Sequence, residues 1–232
     1  IKLFGSSEFL SSILIRRPHN AVELISSLYL HREKPLDVMR LELEGMMAGI
    51  SNYDGLLSVL RLYKQKEMLR IGCRDLLSYG ALEEITSELS SLASAALDTA
   101  YRFCLNLLKS SYGTPYYRDE TGALKECTFV VLGMGKLGGN ELNFSSDIDL
   151  IYLYQSDEGE TRGGDRTYTL YEFYCKMAEL ITKAISANTE DGFVFRVDLR
   201  LRPEGQNGPV ANSIASAMIY YESWGETWER SA

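Results

Sequence analysis

The stretch Gly133-Met-Gly-Lys-Leu-Gly-Gly-Asn-Glu-Leu-Asn-Phe-Ser-Ser-Asp-Ile-Asp149 restricts the fold more than any other part of the chain. It follows the β-branched run Thr128-Phe-Val-Val-Leu132 and leads into a second strand, Ile148-Asp-Leu-Ile-Tyr-Leu-Tyr154. Gly133, Gly135 and Gly138 satisfy the Gly-x-Gly-x-x-Gly dinucleotide fingerprint, and Asp157 stands about twenty residues further on, where a ribose-binding acid belongs. Chain length excludes that reading. A parallel crossover takes about 10–12 residues, helix included, whereas Asp147 comes only eight positions after Gly139. A P-loop is excluded as well, because no Gly-Lys-Ser/Thr closes the segment.

What remains is a glycine pair, a short helix or turn, and Asp-x-Asp at the head of a strand. Side chains alternate along a strand, so Asp147 and Asp149 project together while Ile148 and Leu150 enter the core. Two carboxylates on one face repel each other unless a cation lies between them, and hard oxygen donors suit Mg2+ or Mn2+. Such ions hold the attacking and leaving oxygens of a phosphoryl displacement, and glycines let backbone N–H groups approach phosphates. A third strand, Phe193-Val-Phe-Arg-Val-Asp-Leu199, places Arg196, Asp198 and Arg200 on one face, against Val197, Leu199 and Leu201 on the other. Asp198 is the candidate third metal ligand. Lys136, Arg196, Arg200 and Arg202 are candidate phosphate-binding cations, with Gly138, Gly139 and Ser146 beside them in the loop. Each feature taken alone has a plainer reading: a solvated strand edge, a cross-strand ion ladder, a tight turn.

Before this segment the pattern is helical. From Ser6 to about Tyr112 apolar residues recur at helical spacing, with Pro18 ending one segment, Pro35 opening another, and Gly55, Gly72 and Gly80 expected as breaks. Glu83 to Lys109 reads as one long helix bearing Ile85, Leu89, Leu92, Ala96, Ala100, Phe103 and Leu107 along one side. After the turn-rich Ser111–Pro115 and the polar Arg118–Gly122 come the strands. Gly163-Gly164 reads as a loop, Leu170 to Ala187 as a helix, and a last helix is expected from Ser213 into Trp228. The expected fold class is α+β: a helical region over 1–115, then a core over 116–232 with a small mixed sheet, helices and a C-terminal helix.

Bulk properties narrow the function. At 232 residues and 45% hydrophobic content the chain buries one large core or two modest ones. The net charge of -8 argues against general nucleic-acid or membrane-surface binding, so phosphate chemistry has to rely on locally gathered cations. Cys73, Cys104, Cys127 and Cys175 stand far apart, which suggests neither a zinc site nor a disulfide framework and fits a reducing cytoplasm. No apolar run reaches membrane-spanning length. The ends, Ile1 and Ala232, read as those of a piece excised from a longer protein.

The order Gly-Gly, about eight residues, Asp-x-Asp on a strand and a later carboxylate strand resembles the polymerase-β-type nucleotidyltransferase superfamily. The long runs Gly133–Ile151, Arg196-Val-Asp-Leu-Arg-Leu-Arg-Pro203, Trp228-Glu-Arg230 and Lys66-Glu-Met-Leu-Arg-Ile-Gly-Cys-Arg-Asp-Leu76 are similar to the bifunctional glutamine synthetase adenylyltransferase/adenylyl-removing enzymes. Asn143-Phe-Ser-Ser, Arg196-Val-Asp and Trp228-Glu-Arg230 resemble the N-terminal, adenylyl-removing half more than the adenylylating half. The resemblance implies phosphorolysis of adenylyl-tyrosine on glutamine synthetase, with inorganic phosphate as nucleophile and ADP as product. It implies metals on Asp147, Asp149 and Asp198, and a PII-type signal protein and glutamine as controls. Two alternatives stand beside it: ATP-dependent adenylylation, and a non-catalytic docking or regulatory module. His19 and His31 lie in the early helices and read as surface or packing residues, so no general base is expected. An anionic phosphate needs none.

Overall fold

The helical spacing before Tyr112 becomes five α-helices in a computed structural model, which describes residues 5, 7–26, 28–225 and 229. They are α1 (Glu8–Arg16), α2 (His19–Ser26), α3 (Leu36–Met47), α4 (Tyr53–Leu76) and α5 (Leu82–Tyr112). Pro35 stands at the N-cap of α3, while the side chain of Asn52 caps α4 by accepting from Gly55 N–H at 2.7 Å. The long helix α5 buries Ile85, Leu89, Leu92, Ala96 and Ala100 as expected, then continues its stripe through Cys104 and Leu108, with Leu107 only half-buried.

Two expected breaks are absent, since Gly55 and Gly72 both lie inside the unbroken α4. Gly72 is a contact residue instead: a Cβ there would stand 2.7 Å from Leu10 Cδ1, so its small size lets α1 lie against α4. Helix periodicity does not distinguish a glycine that ends a helix from one that admits a neighbour. Gly80 does fall in the interruption between α4 and α5.

Buried charge also holds this helical layer. Lys34, Arg70 and Arg74 are enclosed with Glu67 and Glu88 between α3, α4 and α5, and Glu42 closes one side. Removal of ions from water is tolerated only where each meets opposite charge and hydrogen bonds. Here Lys34 Nζ reaches Glu67 at 2.6 Å and Glu42 at 2.9 Å, and Arg70 joins Glu67 to Glu88.

Strands follow in two sheets. The stretch read as turn-rich contains β1 (Gly113–Arg118), which pairs antiparallel with β2 (Leu124–Glu126) on one side and β5 (Glu160–Gly163) on the other. Gly163 therefore closes a strand and faces Gly113, whose φ of 82° and contact with Arg162 O exclude a side chain. The second sheet contains β3 (Phe129–Met134), β4 (Ile148–Tyr154), β6 (Val197–Asp198) and β7 (Ala211–Ser213). β3 and β4 pair antiparallel, joined through the one-turn helix α6 (Gly135–Gly138), as the short connection demands. β6 and β7 run parallel to β4, one beside each end of it.

Helix α7 (Leu170–Ser186) begins in a Thr169/Glu172 capping box and lays Phe173, Tyr174, Met177, Ile181 and Ile185 into the core. Tyr174 stacks on Phe129 of β3 at 5.2 Å, and one apolar cluster runs from Met39 in the helical layer to Ala211 in the sheet. The fold is α+β, with a helical front, small mixed sheets and a C-terminal helix, α8 (Ile214–Ser223). α8 is capped by Ser213 and stops at Trp224, short of the expected end. Trp228 and Arg230 lie outside the described residues. Among the described residues no helix is long and apolar enough to cross a membrane.

Candidate active site

Strand β4 delivers the aspartates as alternation requires: Ile148 and Leu150 are fully buried, whereas Asp149 is half-buried and Asp147 exposed. The turn before them is shaped by Asn143, whose Oδ1 accepts from Ser146 Oγ at 2.8 Å and from Ser145 N–H at 3.2 Å. Ser146 therefore builds the turn that feeds Asp147. β6 brings Asp198 directly beside Asp149 in the parallel register.

The expected third strand is much shorter than its alternating pattern. Only Val197 and Asp198 pair as strand, while Val194 and Phe195 donate to the carbonyl of Ile185 at the end of α7. The hydrophobic alternation over Val194 and Phe195 thus reflects packing on a helix end, while Arg196 O accepts from Ile148 N–H at 2.9 Å and opens the pairing with β4. Arg61, which sequence reasoning passed over, fixes this corner. Fully buried on α4, its guanidinium donates to Gly192 O at 2.9 Å, to Ala184 O at 3.1 Å and to Ala187 O. A cation satisfies the orphan carbonyls at a helix C-terminus. Its position seven residues from Met68 in a family-like helix carried no signal of this role.

The cations divide by function. Arg196 Nε contacts Asp147 Oδ1 at 2.5 Å while its Nη2 holds Ser145 O, also at 2.5 Å. Arg200 lies in a turn, not on the strand face. Its N–H and guanidinium both return to Asp198, at 2.8 Å for the backbone contact. Arg202 is turned inward, donating to the carbonyls of Leu199, Gln206, Gly208 and Pro209, so its donors staple the 199–209 loop. Lys136 is exposed on α6, with no ion pair among the described residues. Asp157, the formal ribose acid of the fingerprint, accepts from Tyr154 OH at 2.8 Å and from Ser213 Oγ. It ties β4 to β7.

The glycines also separate. Gly135, not singled out for a role at the site, has φ 53° and would place a Cβ 3.1 Å from Asp149 Oδ2. Gly138 packs on Gly133 O, and Gly139 meets nothing nearer than 3.5 Å. Serines of α5 anchor the following loop: Ser90 Oγ accepts from Leu142 N–H at 3.1 Å, and Asn140 reaches Ser87 at 3.1 Å.

Electrostatics identify Asp149 as the strained member. Burial, then the neighbouring charges of Asp198 and Asp147, raise its carboxyl above the ordinary range, against a smaller opposing effect of Arg200. Asp198 is shifted down, chiefly by its hydrogen bond from Arg200. As the side chains stand, no three His, Cys, Asp or Glu among the described residues converge to hold a metal, and Arg196 and Arg200 engage Asp147 and Asp198. Both pairs are solvent-exposed on the arginine side, where an ion pair contributes only about 0–1 kcal/mol and yields readily to a ligand. Asp147, Asp149 and Asp198 are hard oxygen donors at the head of β4 and on the neighbouring β6, the donor chemistry that suits a divalent cation.

The family model for glutamate-ammonia ligase adenylyltransferases matches residues 1–232. The chain belongs to this family. It is 42% identical over 233 residues to the bifunctional glutamine synthetase adenylyltransferase/adenylyl-removing enzyme of Nitrosococcus oceani, covering 99% of this chain and 23% of that protein. The enzyme of the same name from Shewanella loihica is 37% identical over 230 residues, and that from Pseudomonas aeruginosa 38% over 231, each again covered over 23% of its length. The chain thus spans about a quarter of these adenylyltransferase-family relatives.

Proposed function

We propose that the chain removes adenylyl groups from glutamine synthetase by phosphorolysis. The observation that carries the reading is the carboxylate group Asp147, just before β4, Asp149 on β4 and Asp198 on β6, with Arg196 and Arg200 alongside and both histidines on the helical front. The names of the relatives, which pair adenylyl transfer with adenylyl removal, support the substrate class. The Asn143-Phe-Ser-Ser turn and the Arg196-Val-Asp order favour the removing direction.

In this reaction an oxygen of inorganic phosphate forms a bond to the α-phosphorus of AMP esterified to tyrosine. The bond from that phosphorus to the phenolic oxygen breaks, and the products are ADP and a tyrosine that regains its proton. Asp147, Asp149 and Asp198 would hold Mg2+ or Mn2+, which supplies charge stabilisation for the phosphoryl oxygens when bound. Arg196 and Arg200, released from their carboxylates, bind the attacking phosphate and restrain it in line. Asn143, Ser146 and Gly135 fix the turns on either side, so that the aspartates need little reorganisation. Phosphate arrives already ionised, and positioning with charge stabilisation is sufficient for such a transfer.

The test is to mix the chain with adenylylated glutamine synthetase, Mg2+ and phosphate and to identify the nucleotide released. ADP is expected, and Asp147→Asn or Asp149→Asn should abolish it. AMP as product, or ADP release with both aspartates replaced, would overturn the reading. Labelled ATP with unmodified glutamine synthetase tests the reverse direction, and labelled tyrosine there would favour adenylylation.

A further inference from the structure

Beside the carboxylates lies a cavity of about 520 Å3, lined by α1, the middle and end of α4, the 144–146 turn and residues 193–196. Small-molecule sites occupy about 300–1,000 Å3 and are mostly apolar with a few placed polar groups. This cavity has that composition. Phe9, Phe144 and Phe193 supply aromatic walls, and Phe9 and Phe144 leave 48% and 38% of their surface open to the cavity mouth and solvent. Arg196 and Ser146 also line the cavity, and Arg196 is the residue that contacts Asp147. The cavity and the carboxylates therefore share one rim.

Lys64 lies among the aromatic walls, with the exposed Asp75 and the half-buried Ser7 also on the lining. Its ammonium lies 5.3 Å from the Phe193 ring centre and 5.6 Å from that of Phe9, and it has no carboxylate or hydrogen-bond acceptor among the described residues. Burial, together with the charge of Arg61, makes its protonated form harder to keep. A ligand in the cavity would offer this ammonium an acceptor in place of solvent. Such a ligand must offer a flat face to the phenyl rings, a hydrogen-bond acceptor to Lys64, and a phosphate at the Arg196 rim.

We propose that this cavity receives the nucleoside of the adenylyl group, with the base among Phe9, Phe144 and Phe193 and a ring nitrogen accepting from Lys64. The α-phosphate is thereby delivered to Arg196, Asp147 and Asp149. This rests on the adenylyl-removal reading but assigns residues that the reading does not use. Lys64 is on this account a specificity-determining residue for the base, remote from the bond that breaks.

Equilibrium binding of AMP, adenosine, ribose 5-phosphate and inorganic phosphate to the chain tests it, with Lys64→Met and Phe144→Ala as variants. Stacking of a base on an aromatic ring is lost on alanine substitution with an effect of about tenfold or more in affinity. Phe144→Ala should therefore weaken AMP and adenosine by about ten- to a hundredfold, and Lys64→Met should do the same at pH 7. Both should leave ribose 5-phosphate and phosphate unchanged, and both should keep the wild-type melting temperature, because Phe144 is exposed and methionine retains the lysine stem. No adenosine binding by the wild type at millimolar concentration, or AMP binding unaffected in both variants, would overturn the proposal. If variants and wild type release ADP with the same KM, the cavity assignment falls while the function stands. If base binding depends on Lys64 and Phe144 but no nucleotide is released, the function falls while the cavity assignment stands.

Discussion

Glu88→Gln removes one charge from the buried cluster of the helical front, and the structure gives the size of the effect. Glu88 is fully buried, accepting from Lys34 N–H at 2.8 Å, from Arg70 at 2.7 Å and from Arg74. Without its charge, Lys34, Arg70 and Arg74 face only Glu42 and Glu67, with Glu84 at the rim of the cluster. Two guanidinium nitrogens, Arg70 Nη2 and Arg74 Nε, already lack partners, so there is no spare hydrogen bonding to absorb the loss. Removal of one member of a buried pair costs about 3–5 kcal/mol. Glutamine keeps some of the hydrogen bonds, which places the variant near 3 kcal/mol. For a chain of this size about 2–4 °C of melting temperature corresponds to 1 kcal/mol, so a fall of about 6–12 °C is expected in a thermal scan followed by circular dichroism. Arg74→Met in the same background should be less harmful than in the wild type, because it withdraws a cation that has lost its buried partner and keeps only Glu84 at the rim. A fall of less than about 2 °C for Glu88→Gln, or simple additivity with Arg74→Met, would refute the reasoning and leave apolar packing as the source of stability in this layer.

Two further outcomes concern the carboxylates. The Asp149 carboxyl is raised in the folded chain, so its ionised form opposes folding at neutral pH. Asp149→Asn should therefore raise the urea midpoint in metal-free buffer at pH 7, and the gain should vanish as the pH falls through the raised value toward the ordinary Asp value of about 3.9. A midpoint difference independent of pH would count against the electrostatic account. Gly135→Ala forces a side chain into left-handed backbone and against Asp149, which costs about 1–2 kcal/mol and displaces the carboxylate, so turnover should fall more than stability does. Gly139→Ala, whose Cβ meets nothing within 3.4 Å, is the control in the same assays, and a larger loss there would reverse the assignment of the two glycines.

The helices and the strand that begins just after Asp147 were legible because each depends on local pattern: α5 and α7 keep one apolar stripe, and β4 alternates over Ile148–Leu150 before a buried run through Tyr152. The exclusion of a dinucleotide fold was legible for a similarly local reason, since a chain of that length cannot make a crossover, and β3 and β4 indeed pair antiparallel. Strand β1 escaped notice because Gly113 and Pro115 carry turn chemistry: Gly113 caps the end of α5 with a positive φ and at the same time opens the pairing with β5. Val194 and Phe195 alternate like a strand but satisfy a helix end, which no local pattern distinguishes.

What the sequence by itself determined is therefore the helical front ahead of the sheet, the α+β class, the family, and the placing of Asp147 and Asp149 at the head of β4. Only the tertiary structure decided how the cations are used. Arg196, Arg200 and Arg202 share a side chain and lie within one short run, yet the first contacts Asp147, the second closes on Asp198 and the third holds four carbonyls of its own loop. The same holds for Lys64, which becomes significant only where α4 meets Phe193 and the turn before Asp147. A guanidinium or ammonium has several donors and a long stem, so its partner is set by whichever acceptors the folded chain brings within reach, and those come from segments far apart in sequence.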